Sequence, residues 1–482
     1  MNRNNFLPHV ALALILILVA AFAGQLRRWQ WKRAVRIMPG ADKRHDAINN
    51  AEIASDELPA YSRPELLVKF KPGVSAETIK RITLSLHDRV EDEIESVPGL
   101  EAIDDLDNAD AESAALAYRA LPEVEYAEPS YEIELSPNER ETRLEVHDSA
   151  DDGGAGVGPV RPRDPRFGEQ WALANEGQNG GKRGADISAM RAWAVTTGTD
   201  KVVVAVLDSG VDYTHTDLAA NIWVRPASVA PYEDSDLGTI QDFHGYNAIE
   251  NNADPMDENG HGTHCAGIIG AEGGNDIGIA GVNWKIQIMP LKFMNAGGFG
   301  TTKDAIEAIN YVIDRKKHGV NVRVISASWG STQKSRALDD VIQKAYQEGI
   351  LFVAASGNNS TNNDRSPHYP SSYSNVISVA ALDRNDQLAS FSNYGPKSVQ
   401  IAAPGKDILS TWLGDDYEEH SGTSMATPVV AGVAALVIAN QPRISVEDLR
   451  QKLLASVDKL EALKGKVTTG GRINAAKAVG AE

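Results

Sequence analysis

The sequence predicts an α/β protein: a doubly wound, mostly parallel sheet in its larger part, preceded by a small α+β unit of the ferredoxin-like arrangement. Three observations predict it. From Val202 onward, short apolar runs alternate with segments of helical spacing, the pattern of βαβ units. Earlier, residues 66–135 read strand, helix, strand, strand, helix, strand. Between the two, residues 136–163 turn abruptly to charged residues and then DDGGAGVGP, a composition that builds no core and reads as a flexible linker.

The elements follow in order. After Met1–Asn5 comes the apolar run Val10–Phe22, ending in Ala21–Phe22–Ala23, the small-x-small pattern read by signal peptidase. Basic residues Arg27, Arg28, Lys32, Arg33 and Arg36 follow; these resist translocation and suit a retained anchor. Two readings stay open, residues 1–23 as a cleaved signal and residues 7–23 as a membrane anchor. Residues 24–61 form a polar spacer, and 62–135 the small unit. In it Leu66–Phe70 alternates as a strand, Ala76–Leu86 has helical spacing, and Val90–Val97 and Leu100–Leu106 flank a Pro98–Gly99 turn. Ala109–Ala120 is helical again, and Val124–Leu135 is extended.

The larger unit, 164–482, alternates strands Val202–Leu207, Ile286–Phe293, Val322–Ser328, Ile350–Ala355 and Val376–Ala380 with helices after His261, at Lys303–Arg315, at Arg336–Glu348 and after Ser424. No internal repeat is evident, and the chain ends at Glu482 just past the helix-like GRINAAKAVG, so no added binding domain is expected there.

Three motifs carry chemistry: Asp208 in DSGVDYTH, His261 in HGTHCAG and Ser424 in SGTSMATP. A serine hydroxyl attacks a carbonyl when a base takes its proton, and an imidazole does so well when a carboxylate fixes its tautomer. Asp208 ends an apolar run, at the sheet edge where α/β proteins place their sites. His261 opens a small-residue helix. Ser424 precedes the apolar helix Ala426–Val437, whose amino-terminal donors favour developing negative charge. Asn358, in AASGNNS, offers a side-chain amide as a further donor to an oxyanion.

With these motifs in the order Asp, His, Ser, the chain resembles the subtilisin-like serine proteases from about Asp164 to Val479. The resemblance implies a serine endopeptidase acting through an acyl-enzyme: Asp208 orients, His261 is the general base, Ser424 the nucleophile, and Asn358 completes the oxyanion hole. Ser328, Trp329, Gly330 and Gly298, Phe299, Gly300 match the family segments that bind an extended peptide as an added strand. The pocket for the residue before the scissile bond falls to Ser328–Gly330 with Ala354–Gly357, hence Ala355 and Gly357, with His368 near its floor. Read as packing aromatics, Trp329 and Phe299 would instead be ordinary core residues.

The small unit resembles the family's inhibitory propeptide domain, so the resemblance implies a self-processing zymogen whose own prodomain is an intramolecular inhibitor. It also implies structural calcium, held by Asp217, Asn275 and Asp164 with backbone oxygens of Gly273, Ile277 and Ile279, in a loop one residue longer than is commonest. Asp254 and Asp257 leave two readings open, a second cation site and an acidic turn.

Other residues are read more plainly. His264 lies three residues beyond His261, whereas a metalloprotease helix needs a spacing of four with a glutamate, so it reads as packing. His215 reads as a loop residue. Cys265 is the chain's one cysteine, which excludes an intramolecular disulfide. Four residues past His261, it falls one turn deeper on the same helix face. There it reads as a small buried residue and, by resemblance to the thiol-containing branch of the family, sits beneath the imidazole. The net charge of −19 argues against nucleic acid and anionic membrane surfaces as partners, since both are bound through excess Lys and Arg. The expected partners are peptide or protein substrates, the expected state a monomer, and the expected place secreted or periplasmic. The competing class, a non-catalytic or self-inhibited binding protein that keeps its prodomain bound, is argued against by the complete set of four motifs.

Overall fold

The computed structural model describes residues 65–107, 110–135 and 159–481. The expectations for residues 1–64 and for the linker 136–158 lie outside the described residues.

The small unit is the anticipated split arrangement. Strands β1 (Glu65–Phe70), β2 (Asp88–Glu93), β3 (Leu100–Asp105) and β4 (Val124–Pro129) form an antiparallel sheet in the order β2-β3-β1-β4. Helices α1 (Ala76–Ser85) and α2 (Ala111–Arg119) cover one face, each started by a side-chain cap, Ser75 and Asp110. Leu66, Val68 and Phe70 alternate inward against Ile79, Ile82 and Tyr118. The extended run read as Val124–Leu135 is broken at Ser130–Tyr131. There Tyr131 exchanges hydrogen bonds with Thr302, and the three-residue β5 (Glu132–Glu134) leaves its own sheet to pair with the larger unit.

In the larger unit, β6 (Gly198–Asp208), β10 (Lys285–Lys292), β12 (Val322–Ala327), β13 (Leu351–Ala355), β14 (Val376–Leu382) and β15 (Ile401–Pro404) pair in parallel. The full sheet has nine strands, edged by β9 (Tyr246–Asn247) on one side and by β18 (Val457–Lys459) and β19 (Gly471–Ile473) on the other. From β6 the chain steps out to β10 and then back to β12 on the other flank. That reversal puts a crevice at the carboxyl end of β6, where open α/β sheets bind ligands.

Apolar layers fill both faces. Helices α3 (His261–Gly270) and α6 (Thr423–Asn440) pack beneath one, and α4 (Thr302–Lys317) and α5 (Arg336–Gln347) beneath the other. Helix α6 is buried on every side through Ile438, so it is apolar all round. It starts earlier than the sequence suggests: Ser424 is its second residue and does not precede it. The apolar pattern shows only where side chains meet the core, and SGT at the front carries no such mark.

Candidate active site

The approach of α3 to the end of β6 brings Asp208 and His261 together. Gly260 opens the helix at φ 101°, and a Cβ on Gly262 would collide with the Gly210 carbonyl, so glycine is needed where helix meets strand. Asp257 fixes the helix start: its Oδ1 accepts the Asn259 and Gly260 N–H groups and its Oδ2 the Thr263 N–H and hydroxyl. That full set of donors leaves Asp257 no lone pair free for a cation, so at Asp257 the structure supports the turn; Asp254 Oδ1 accepts the Tyr213 hydroxyl and the Met256 N–H.

His261 Nδ1 lies 2.7 Å from Asp208 Oδ1, which also accepts the Ser209 N–H. Both side chains are buried. Burial alone would push the imidazole down, but the Asp208 charge and hydrogen bond outweigh it and hold His261 above its ordinary range.

Ser424 comes from α6. Its hydroxyl donates to the Ser328 carbonyl at 2.9 Å; among the described residues that, and not a bond to His261, is its hydrogen bond. The local cause of this arrangement is Pro428. Four residues after Ser424, it has no N–H to offer the Ser424 carbonyl, and that carbonyl instead accepts the Ser328 hydroxyl at 2.8 Å and lies 3.7 Å from Cys265 Sγ. The serine is thereby tied to β12 and to α3 at once.

Asn358 follows β13 across Gly357, whose φ is 105°. Its side-chain oxygen accepts both the Thr423 N–H and the Thr423 hydroxyl at 2.8 Å, which fixes the amide with its Nδ2 beside Gly422. Asn393 braces this loop, accepting the Asn359 and Thr361 N–H groups and donating to the Ser356 carbonyl. Thr423 and Asn393 are thus positioning residues that the sequence reading missed. Thr423 sits inside the SGTSM motif and could have been found; nothing local marks Asn393.

Cys265 Sγ, a His261 ring nitrogen and an Asp208 oxygen lie within 4.8 Å of one another, as the helical spacing anticipated. Burial pushes its thiol well up, so it is an unreactive thiol at rest. His264 is held by two backbone carbonyls, of Ile408 and Glu418, both at 3.0 Å, and is a packing residue. His215 is a buried loop residue whose Nδ1 accepts the Asp217 N–H.

The cleft residues divide. Phe299, Gly300 and Thr301 form strand β11, and β5 pairs with it antiparallel, Phe299 opposite Glu134 and Gly300 opposite Ile133. Leu135 continues the pairing through its N–H to the Gly298 carbonyl at 2.9 Å. An extended peptide therefore does lie along this edge, supplied by the chain itself. Trp329 is instead a core aromatic: it is 3 % exposed, donates to the Leu207 carbonyl and packs on Phe293, so its side chain does not line the cleft. The His368 ring fits between Gly330 and Gly357, where a Cβ on Gly330 would collide with it, and so it occupies the space between the walls formed by Ser328–Gly330 and Ala355–Gly357. Burial pushes His368 down to about 4.

Asp217, Asn275 and Asp164 also converge. Asn275 Nδ2 is 2.8 Å from Asp217 Oδ1, the Ile279 N–H is 3.0 Å from Asp217 Oδ2, and Asp164 Oδ2 accepts the Gly274 N–H at 2.7 Å. Among the described residues, Asp164 Oδ1 is buried with no hydrogen-bond partner. Burial raises both carboxyls; Asp164 further raises Asp217, and Asp276 further raises Asp164. A buried carboxylate pair with an orphaned oxygen fits a hard cation with oxygen ligands. Turning the Asn275 amide over would add its oxygen to the set. What the structure records of Ile279 is its N–H rather than its carbonyl, and Ile277 sits at the exposed tip of the loop.

Comparison with known proteins places the site in context. Residues 199–477 match the Subtilase family, Peptidase S8, and residues 47–130 match the Fervidolysin N-terminal prodomain, a span that begins inside the stretch read as spacer. The chain is 34 % identical over 432 residues to a thermophilic serine proteinase of Bacillus sp. (strain AK1), covering 88 % of this chain and 89 % of that one. It is 38 % identical over 293 residues to thermitase of Thermoactinomyces vulgaris, covering 61 % of this chain and 93 % of that one. A solved protease structure from Pseudoalteromonas arctica superposes with a TM-score of 0.54 at 29 % identity, covering 66 % of this chain and 99 % of that one.

Proposed function

The chain belongs to the subtilase family of serine endopeptidases, and from that premise we propose that Ser424 is its nucleophile, His261 the general base, Asp208 the group that orients His261, and Asn358 with the Ser424 N–H the oxyanion donors. The observation that carries the reading is the buried 2.7 Å contact between His261 Nδ1 and Asp208 Oδ1 beside the amino-terminal turn of α6. Asp208 holds the Nδ1 proton, so Nε2 is the basic nitrogen. Rotation of the Ser424 hydroxyl away from Ser328 hands its proton to Nε2 as Oγ attacks the peptide carbonyl. Negative charge on that oxygen is met by the Asn358 Nδ2 hydrogens, which Thr423 has fixed in place. Protonated His261 then gives its proton to the leaving amine, an acyl-enzyme forms, and water reverses the sequence. A fluorophosphonate probe is expected to label Ser424 in the processed enzyme. No labelling of an enzyme freed of residues 65–135 would sink the assignment.

Substrate peptides are read as binding along β11 in the place that residues 132–135 take, and those residues are read as the inhibitory tail. The prodomain also caps α5: Glu128 accepts the Ser335 hydroxyl at 2.6 Å and the Arg336 and Ala337 N–H groups at 3.0 Å. Export from the cytoplasm is proposed on the apolar run before Ala23.

Calcium is proposed at Asp164, Asp217 and Asn275, with Gly273, Ile277 and Ile279 completing the oxygen set. Bound there it would tie the start of the larger unit to the loop after α3. Binding to the folded state alone stabilises it, by about 2.7 kcal/mol at a hundredfold excess over Kd. A chelator is therefore expected to lower the inactivation temperature of the processed enzyme, and Asp217→Ala to shrink that response. Identical inactivation curves with and without chelator, in a sample shown to be metal-free, would remove the claim.

Cys265 gives a second check on the site. A mercurial bound to its sulfur would displace His261, and a misplacement of about 1 Å can cost on the order of 10²-fold in rate. Mercury compounds are expected to inhibit the wild type and spare Cys265→Val. Equal inhibition of both would place the metal elsewhere.

A further inference from the structure

Where residues 65–135 dock on the larger unit, the contact is crowded with carboxyl groups. Asp92 on β2 is 5 % exposed and Glu307 on α4 is 3 % exposed. They face each other across the contact, beside the Lys303 ammonium that joins Glu91 of β2 to Glu307 of α4. Asp92 makes a second such meeting with Asp236, on the hairpin formed by β7 (Tyr232–Asp234) and β8 (Gly238–Ile240). Two carboxylates cannot hydrogen-bond; one must carry a proton for the meeting to be attractive. Asp92 Oδ1 is buried with no hydrogen-bond partner among the described residues, while Glu307 Oε1 has the Lys303 ammonium 3.3 Å away.

Among the described residues the surroundings supply one buried positive charge for several carboxyls. Lys303 on α4 is the buried cation at this spot, and it is shared, with Nζ 2.8 Å from Glu91 and 3.3 Å from Glu307. Against it α4 adds Asp304, and the hairpin presents Asp234 as well as Asp236 toward Asp92. Glu95 is satisfied separately by Asn310 Nδ2 at 2.5 Å and the Ser235 N–H, and Asp104 is paired with Arg89. Glu65, near Lys303, and Glu101, near Lys69, face the same contact from β1 and β3. The neighbouring Tyr232 and Tyr246 bring no charge at ordinary pH, since burial pushes both phenols up.

We propose that a proton shared between Asp92 of the prodomain and Glu307 of the catalytic unit latches the prodomain in place, so that acid retains it and neutral to alkaline pH loosens it. The consequence for activity rests on the reading of this domain as an inhibitor. Burial and the neighbouring carboxyls raise Asp92 and Glu307, and burial brings Glu65 and Glu101 up to about 7 and Asp304 to about 6. The sign follows: free carboxyls ionise near 4, docked ones higher, so docking takes up protons. It is strongest below the free range and is lost as pH rises through the docked range.

The test uses the full chain carrying Ser424→Ala, so that no self-cleavage intervenes, cut within residues 136–158 by an added site-specific protease at an inserted recognition sequence. The fraction of prodomain still bound is measured by size separation between pH 5 and pH 9. Its apparent Kd is expected to rise by about tenfold per pH unit for each proton released, near pH 5 to 7. Asp92→Asn and Glu307→Gln, which hydrogen-bond without a proton, should each flatten that slope by about one proton. The double variant should be no flatter than either single one, because both remove the same proton. If one variant fails to fold, the other carries the comparison. A pH-independent Kd in the parent chain, or an unchanged slope in either folded variant, would overturn the latch. In the Ser424-intact enzyme, equal fluorophosphonate labelling with the prodomain bound and released would overturn the inhibitory reading instead.

Discussion

Ser424→Ala is expected to lower peptide hydrolysis by on the order of 10⁶ in turnover, the loss that removal of the serine causes in subtilisin. Alanine fills the same space at the start of α6 but offers no oxygen to the peptide carbonyl, and the effect should fall on turnover with substrate binding unchanged. It should also abolish self-processing. The variant should accumulate as an uncut precursor, while the wild type should lose residues 65–135 at a bond between about Leu135 and Asp164, with Leu135 the last residue paired to the cleft strand. Amino-terminal sequencing of both proteins reads this directly. Normal maturation of the purified variant, with no other protease present, would disprove self-cleavage by Ser424.

Asp208→Asn is expected to cost about 10⁴ in turnover while leaving the fold intact. The Asp208 carboxylate accepts the His261 Nδ1 proton and the Ser209 N–H at one oxygen, in a place closed to solvent. An asparagine of the same shape can turn its amide hydrogens toward Nδ1. His261 would then carry its proton on Nε2, where it cannot accept one from Ser424. The pH profile separates this from simple misplacement. Burial lowers His261 and the Asp208 charge more than restores it, so wild-type activity should be lost as pH falls through a point above the ordinary imidazole range. Without that charge the acid limb should move to lower pH. An asparagine variant within about tenfold of wild type, or one with an unmoved acid limb, would remove Asp208 from this role.

The sequence made the strand and helix order legible because parallel strands buried on both faces leave long apolar runs, as in Val202–Leu207 and Val376–Ala380, and surface helices leave a periodic stripe, as in Arg336–Glu348. It was less informative where backbone geometry decides. The start of α6 at Thr423 and the break at Ser130–Tyr131 depend on hydrogen bonds to Asn358 and Thr302, which lie far away in the chain. Trp329 shows the same limit: an aromatic beside a cleft motif carries no mark of whether it faces peptide or core.

What the sequence determined alone was the set of candidate reactive groups and their order, since Asp208, His261, Ser424 and Asn358 each stand in a small-residue setting that lets a side chain be presented at an element's end. Tertiary structure alone decided how they are held. The Pro428 gap frees the Ser424 carbonyl for Ser328 and Cys265, Thr423 and Asn393 fix the Asn358 loop, and Asp92 meets Glu307 across the docked prodomain. These are contacts between residues tens to hundreds of positions apart, and a hydrogen bond or a shared proton depends on distance in space, which local pattern does not record.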